Sequence, residues 1–236
     1  MNVQRQSLIG LSLAALIVGG WLALHIWGVF FHSWSVVDWV RAPLIVLLQG
    51  WLGAGMFIVA HDAIHGSLAP GRRRLNALVG QICVGLYAGF SFRKLAGAHQ
   101  KHHDAPGTAA DPDFHPERPA DFAPWLYRFF LTHFGWIEFA RVTAVLVVYL
   151  LLGAQVANLI VFWGLPAILS ALQLFTFGTY LPHRHEEATF ADAHHARSLN
   201  YPWLLSLLTC FHFGRHHEHH LHPEAPWWRL PSVKLG

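Results

Sequence analysis

Apolar positions run along this chain in long blocks, not in the short amphipathic stretches of a soluble domain. A helix that crosses a bilayer needs roughly 20 mostly apolar residues. Residues 8–31 meet that length, and residues 42–60 do so again, with the second helix continuing through His65. Residues 75–92 form a shorter, glycine-rich stretch that suits either a span or an interfacial helix. Residues 142–181 hold about 40 positions, or ~60 Å of helix, enough for two passes. Gly164 and Pro166 mark the expected break, which gives spans at 142–162 and 166–182. Residues 104–124, with Pro106, Pro112, Pro116, Pro119 and Pro124, read as an ordered loop. Beyond Leu181 the chain turns polar, apart from an apolar patch at 203–213. The pattern predicts an all-α, polytopic membrane protein. One domain covers residues 1–236, with about four transmembrane helices, interfacial or re-entrant helices and a histidine-lined cap.

Composition agrees with that reading. Charged residues make up 12% of the chain, against about 25% in a typical soluble domain. Residues 8–31 lack a small-residue cleavage site and read as a retained span, not a signal peptide. Sidedness follows from the basic residues. Arg72, Arg73, Arg74, Arg93, Lys94 and Lys101 lie between the second span and the long apolar stretch; Arg184, Arg197, Arg215, Arg229 and Lys234 follow it. Arg41 alone occupies the link between the first two spans. The N-terminus, the middle segment and the C-terminal third are therefore expected on the cytoplasmic face. Trp21, Trp27, Trp34, Trp39 and Trp51 gather around the first two spans, where indole rings serve as interface anchors. A net charge of +3 with no basic patch gives no reason to expect nucleic acid. Cys83 and Cys210 form neither a disulfide framework nor a CxxC motif.

The outlier is histidine, with 19 residues against 16 Lys and Arg together. Three clusters stand out: His61 and His65 in HDAIH, His99, His102 and His103 in HQKHH, and His216, His219 and His220 in HHEHH. Spacings of three and four put imidazoles on one helix face, one turn apart. Neutral imidazole binds first-row transition metals. Eight such rings, from clusters far apart in sequence but on one membrane face, predict a site for two metal ions. His183, just after a span, and His194, in DAHHA, are the expected further ligands. His212 reads as a packing residue, while His217 and His222 read as supporting or surface residues. Asp62, Asp111, Asp113, Asp192 and Glu218 stand beside the histidines and are expected to accept the imidazole N–H groups that face away from the metal. The paired Glu-x-x-His motifs of a carboxylate-bridged bundle are absent.

The three clusters resemble the histidine boxes of the membrane fatty-acid desaturase and hydroxylase superfamily. Longer strings are similar to bacterial β-carotene ketolases: residues 61–68 (HDAIHGSL), 106–115 (PGTAADPDFH), 179–184 (TYLPHR) and 207–231 (LLTCFHFGRHHEHHLHPEAPWWRLP). The likeness covers about residues 51–231. Residues 191–198 (ADAHHARS) depart from the family form, in which asparagine more often follows the first histidine; this makes His194, not His195, the expected ligand. The resemblance implies two Fe(II) ions and O2 as co-substrate. The C4 methylene of a β-ionone ring would be hydroxylated twice to a geminal diol, which loses water to leave a ketone. It implies products such as echinenone and canthaxanthin, or astaxanthin from a 3-hydroxylated ring, and a place in the bacterial inner membrane with the site on the cytoplasmic side. No GxGxxG, iron–sulfur or haem motif occurs in the chain. Electrons are therefore expected from ferredoxin and its reductase, and the carotenoid from the bilayer lipid. Tyr87, Phe90, Phe92, Trp203, Phe211, Phe213, Trp227 and Trp228 are expected to line its path. A fatty-acyl desaturase or hydroxylase of the same superfamily is the alternative. A metal transporter would need more ionisable residues inside the spans, and a dizinc hydrolase would need a nucleophile motif such as GxSxG.

Overall fold

A computed structural model describes residues 1–185 and 189–233; Lys234 lies outside them. Among the described residues the chain is helical, with a lone β-bridge between Ser198 and Arg215. α1 (Val3–Ile26) continues as a π-helical turn to Phe31, and α2 spans Asp38–His65. α3 (Arg73–Ala88) and α4 (Phe92–Asp104) meet at 99°, and α5 (Phe122–His133) and α6 (Trp136–Leu151) meet at 79°. α7 is one helix from Val156 to His183 with two π-helical stretches. Two short helices follow, α8 (Trp203–Cys210) and α9 (His216–Leu221), and then a 3-10 turn at Trp227–Ser232.

Among the described residues, three helices are long and apolar enough to cross a membrane: Val3–Phe31, Asp38–His65 and Val156–His183. Each bent pair could add one more. The break expected at Gly164 and Pro166 lies elsewhere. α6 ends at Leu151, where Gly153 takes φ +89° and the Ala154 N–H returns to the Tyr149 carbonyl at 2.9 Å. A positive φ costs glycine little, so the reversal falls there. Pro166 is instead absorbed within α7. Proline removes one donor and crowds the carbonyl four residues back; the π turn Ile160–Gly164 just before it shifts the ladder, with the Leu165 N–H bonding the Ile160 carbonyl. α5 and the first turns of α6 also lie in a region the apolar pattern left unassigned.

α2 is the central helix, packed against α1, α3 and α7. Small residues allow the close approach. A Cβ on Gly50 would sit 3.2 Å from the Leu169 Cβ, and one on Gly55 would sit 2.5 Å from the Phe211 ring. The core formed here includes Ile17, Trp21, Met56, Ile58, Val59, Val84 and Phe211. Outward-facing Leu44, Leu47, Val147, Val148 and Ile168 are exposed, as lipid-facing side chains are. α2 stops at Gly66, with φ +72°, and the Ser67 N–H folds back to the Asp62 carbonyl at 2.9 Å. That stop leaves His61 and His65 in the last turns of the central helix, where α4 and α9 cross.

Candidate metal centre

The histidine boxes converge in two adjoining groups. His61, His65, His99, His103 and His219 form one; His102, His183, His216 and His220 form the other. Within each group one ring nitrogen from each residue lies within 4.8 Å of all the others. Nε2 atoms face each other across the groups' centres: His65 and His99 at 2.8 Å, His103 and His219 at 3.0 Å, His102 and His220 at 3.2 Å. The paired histidines explain how two groups are built from few elements. Neighbours on a helix point about 100° apart. His102 and His103 therefore aim at different groups, and so do His219 and His220.

The donor set fits metal ions. His61 and His216 are buried with both ring nitrogens lacking a hydrogen-bond partner, and the His183 Nε2 and His220 Nδ1 are in the same position. Buried polar atoms are nearly always paired, and an orphan costs about 1–3 kcal/mol. Burial pushes the imidazoles of His216, His219 and His220 well below their ordinary value, and crowding by neighbouring imidazoles adds to the effect. The rings are thus held neutral, with lone pairs available. An all-imidazole set suits iron, zinc, copper or nickel.

The surrounding hydrogen bonds match expectation in part. His102 Nδ1 donates to Asp111 at 2.9 Å, which leaves its Nε2 for the metal group; Asp111 is itself held by the Gly107 and Asp113 N–H groups. Asp192 accepts from His217 Nε2 at 2.8 Å and from the His194 N–H at 2.9 Å. Two acids act differently. Asp62 lies 3.8 Å from His61 Nδ1, too far for a hydrogen bond, and accepts the Trp227 N–H at 3.2 Å, which ties the C-terminal turn to α2. Glu218 accepts from Arg215 at 3.0 Å and from the Ser198 hydroxyl. Both partners lie outside the two histidine groups.

His194 lies outside both groups. Its ring centroid is 5.7 Å from that of His220, on an irregular segment whose course helical spacing could not foretell. His195 also lies outside both groups: its Nδ1 bonds the Pro106 carbonyl at 2.8 Å, and its own carbonyl accepts from His183. His212 packs against Trp203 and Trp227, with Nδ1 3.1 Å from the Ser206 hydroxyl. His133 escaped the sequence reading. It closes α5 and pairs with Asp113 at 2.7 Å, and as a lone histidine it offered no spacing to read. Asp113 is held below the usual carboxylate range: burial raises it, but the His133 hydrogen bond and the nearby imidazoles outweigh that.

An apolar cavity of about 280 Å3 ends on His61, His99, His102 and His216. Phe57, Phe129, Phe134 and Leu174 line it, joined by Tyr87, Phe90 and Phe213 from the expected aromatic path. Phe92, Trp203, Phe211, Trp227 and Trp228 are not on its wall; Phe211 and Trp227 pack in the core instead. Phe130 and Ile168 line the cavity and are also exposed, so its rim reaches the outer face of α5 and α7.

The fatty acid desaturase profile matches residues 37–142 and 133–235. A β-carotene ketolase of Paracoccus sp. is 47% identical over 92% of this chain and 89% of its own length. The chain belongs to the fatty acid desaturase family, in its β-carotene ketolase group. A β-carotene ketolase of Haematococcus lacustris is 37% identical over 95% of this chain and 78% of its own length. A zeaxanthin 4-ketolase of Chlamydomonas reinhardtii is 35% identical over 98% of this chain and 54% of its own length. Family membership gives the histidine convergence its meaning as a metal site of an oxidoreductase.

Proposed function

We propose that this chain is a β-carotene 4-ketolase, an oxygenase that converts the C4 methylene of a β-ionone ring to a ketone. The observation that carries the reading is the apolar cavity whose inner end is made of metal-group histidines. It takes β-carotene to echinenone and canthaxanthin, and zeaxanthin to astaxanthin. The ligands are His61, His65, His99, His103 and His219 for one ion and His102, His183, His216 and His220 for the other, with His194 beside His220 as the tenth. Two Fe(II) ions bound there supply O2 activation and hydrogen abstraction at C4.

The chain's own residues bind and orient the ring. Phe57, Phe129, Phe134 and Leu174 present no polar group to the hydrocarbon and keep water from the reacting carbon. The rim at Phe130 and Ile168 suits a substrate delivered sideways from lipid. Electrons come from a separate donor, ferredoxin with its reductase. The protein sits in the bacterial inner membrane, with the histidines on the cytoplasmic side, as the basic residues around them favour. Relatives at 35–47% identity are ketolases, which favours the ketolase reading over the acyl-chain alternative.

Expression in a β-carotene-producing bacterial host tests the reading. Pigment chromatography should show echinenone and canthaxanthin, and the H102A variant should show neither. Unchanged β-carotene in cells that hold the membrane-inserted, iron-loaded protein would reject it.

A further inference from the structure

The metal end of the apolar cavity carries two polar side chains that neither histidine group uses. His133 Nε2 donates to Asp113 Oδ1 at 2.7 Å. Among the described residues no other hydrogen bond reaches the His133 ring, so its Nδ1 is left without a protein partner. Asp113 Oδ2 also lacks a hydrogen-bond partner: His102 Nδ1 is 3.9 Å away and gives its proton to Asp111. Both side chains line the cavity beside His102, and they are only 14% and 16% exposed. A carboxylate oxygen and a ring nitrogen, neither with a protein hydrogen bond, thus face a largely apolar space. Polar atoms withdrawn from water without a partner are unfavourable, and a hydroxyl on the ligand, which both donates and accepts, relieves them whichever role the ring nitrogen takes.

Connectivity says which hydroxyl. C3 of a β-ionone ring is bonded directly to C4, so a ring whose C4 points at the histidines carries any C3 hydroxyl to the same end of the cavity. We propose that Asp113 and His133 form the hydrogen-bonding site for the C3 hydroxyl of a hydroxylated ring, and so set the preference between 3-hydroxylated and unsubstituted carotenoids. The inference rests on the ketolase reading above. Thr179 and Tyr87 also bring hydroxyls to this wall; the Tyr87 oxygen accepts from the Ser170 hydroxyl at 3.3 Å, and Thr179 is the competing partner taken into the test.

The test is a competition in membranes holding the iron-loaded enzyme, a reduced ferredoxin and equal amounts of β-carotene and zeaxanthin. Relative ketone formation gives the ratio of kcat/KM for the two substrates. That ratio reads ring recognition and is insensitive to how much active enzyme survives. His133→Phe should lower the zeaxanthin to β-carotene ratio about tenfold or more, because a site built for a hydroxyl loses its partner. His133→Gln, which keeps an acceptor, should restore part of it. Should the phenylalanine variant fail to fold, Asp113→Asn carries the same test, since it keeps the volume and removes one acceptor. An unchanged ratio in these variants overturns the proposal, as does a ratio that moves in Thr179→Val and not in His133→Phe. Wild-type membranes that form ketone from neither carotenoid overturn the ketolase reading itself, a separate outcome.

Discussion

His183 Nδ1 donates to the carbonyl of His195 at 2.8 Å, twelve positions along the chain. That one bond fixes the tautomer that leaves Nε2 bare among His102, His216 and His220. It also ties the end of α7 to the irregular segment that carries His194. Substituting His183 by alanine should cut the metal content of the purified protein from two ions towards one and abolish ketone formation. His195→Ala keeps the carbonyl but frees the loop from Pro106, so it should weaken metal affinity by about 10–100-fold. Metal analysis after graded chelation distinguishes the two.

His217 and His219 lie two positions apart on α9 with opposite duties. His219 belongs to the five-histidine group, while His217 holds Asp192 at 2.8 Å. His219→Ala should eliminate activity and lower bound metal. His217→Ala should retain both ions and cost at most about 1 kcal/mol of stability, since the Asp192 side chain is 37% exposed and surface pairs contribute little. Loss of metal in His217→Ala would contradict the assignment.

Asp62 is 3% exposed, and its bond from the Trp227 N–H joins residues 165 positions apart. Its replacement by alanine orphans a buried donor and releases the C-terminal turn from α2. Thermal unfolding in detergent should show a loss of about 1–3 kcal/mol. Metal ligation should persist at low temperature, because no ligand is removed.

Burial pushes the His212 imidazole down to about 4, and the charge of Arg215 adds to the shift. The folded protein therefore resists a proton that the unfolded chain accepts near pH 6.5. The stability tied to this residue is fully present above about pH 6.5 and is lost as the pH falls towards 4. Denaturation of metal-free wild type and His212→Gln at several pH values should give a difference that changes across that window and is flat above it. A difference that grows at alkaline pH would have the wrong sign.

The convergence of the histidine boxes was the most legible part of the sequence. The i, i+3, i+4 spacing in HQKHH and HHEHH is a property of one helix turn, so it can be read without knowing the fold. His133 and the duties of Asp62 and Glu218 were hidden, because each depends on a partner or direction that local spacing does not encode. The α6–α7 reversal was missed because Pro166 is the stronger breaker on paper, while a π turn accommodates it and Gly153 supplies the positive φ.

The sequence by itself determined the all-helical membrane class, the chemistry of the donors and the turn-by-turn facing of each histidine box. Tertiary structure decided which histidines of the three boxes gather in one group. His103 meets His219 across 116 positions, and His102 meets His220 across 118. The physical reason is that periodicity sets only the direction of a side chain from its own helix axis. The crossing of α2, α4, α7 and α9 sets where those directions intersect, and the small residues of α2 let α7 pack closely against it.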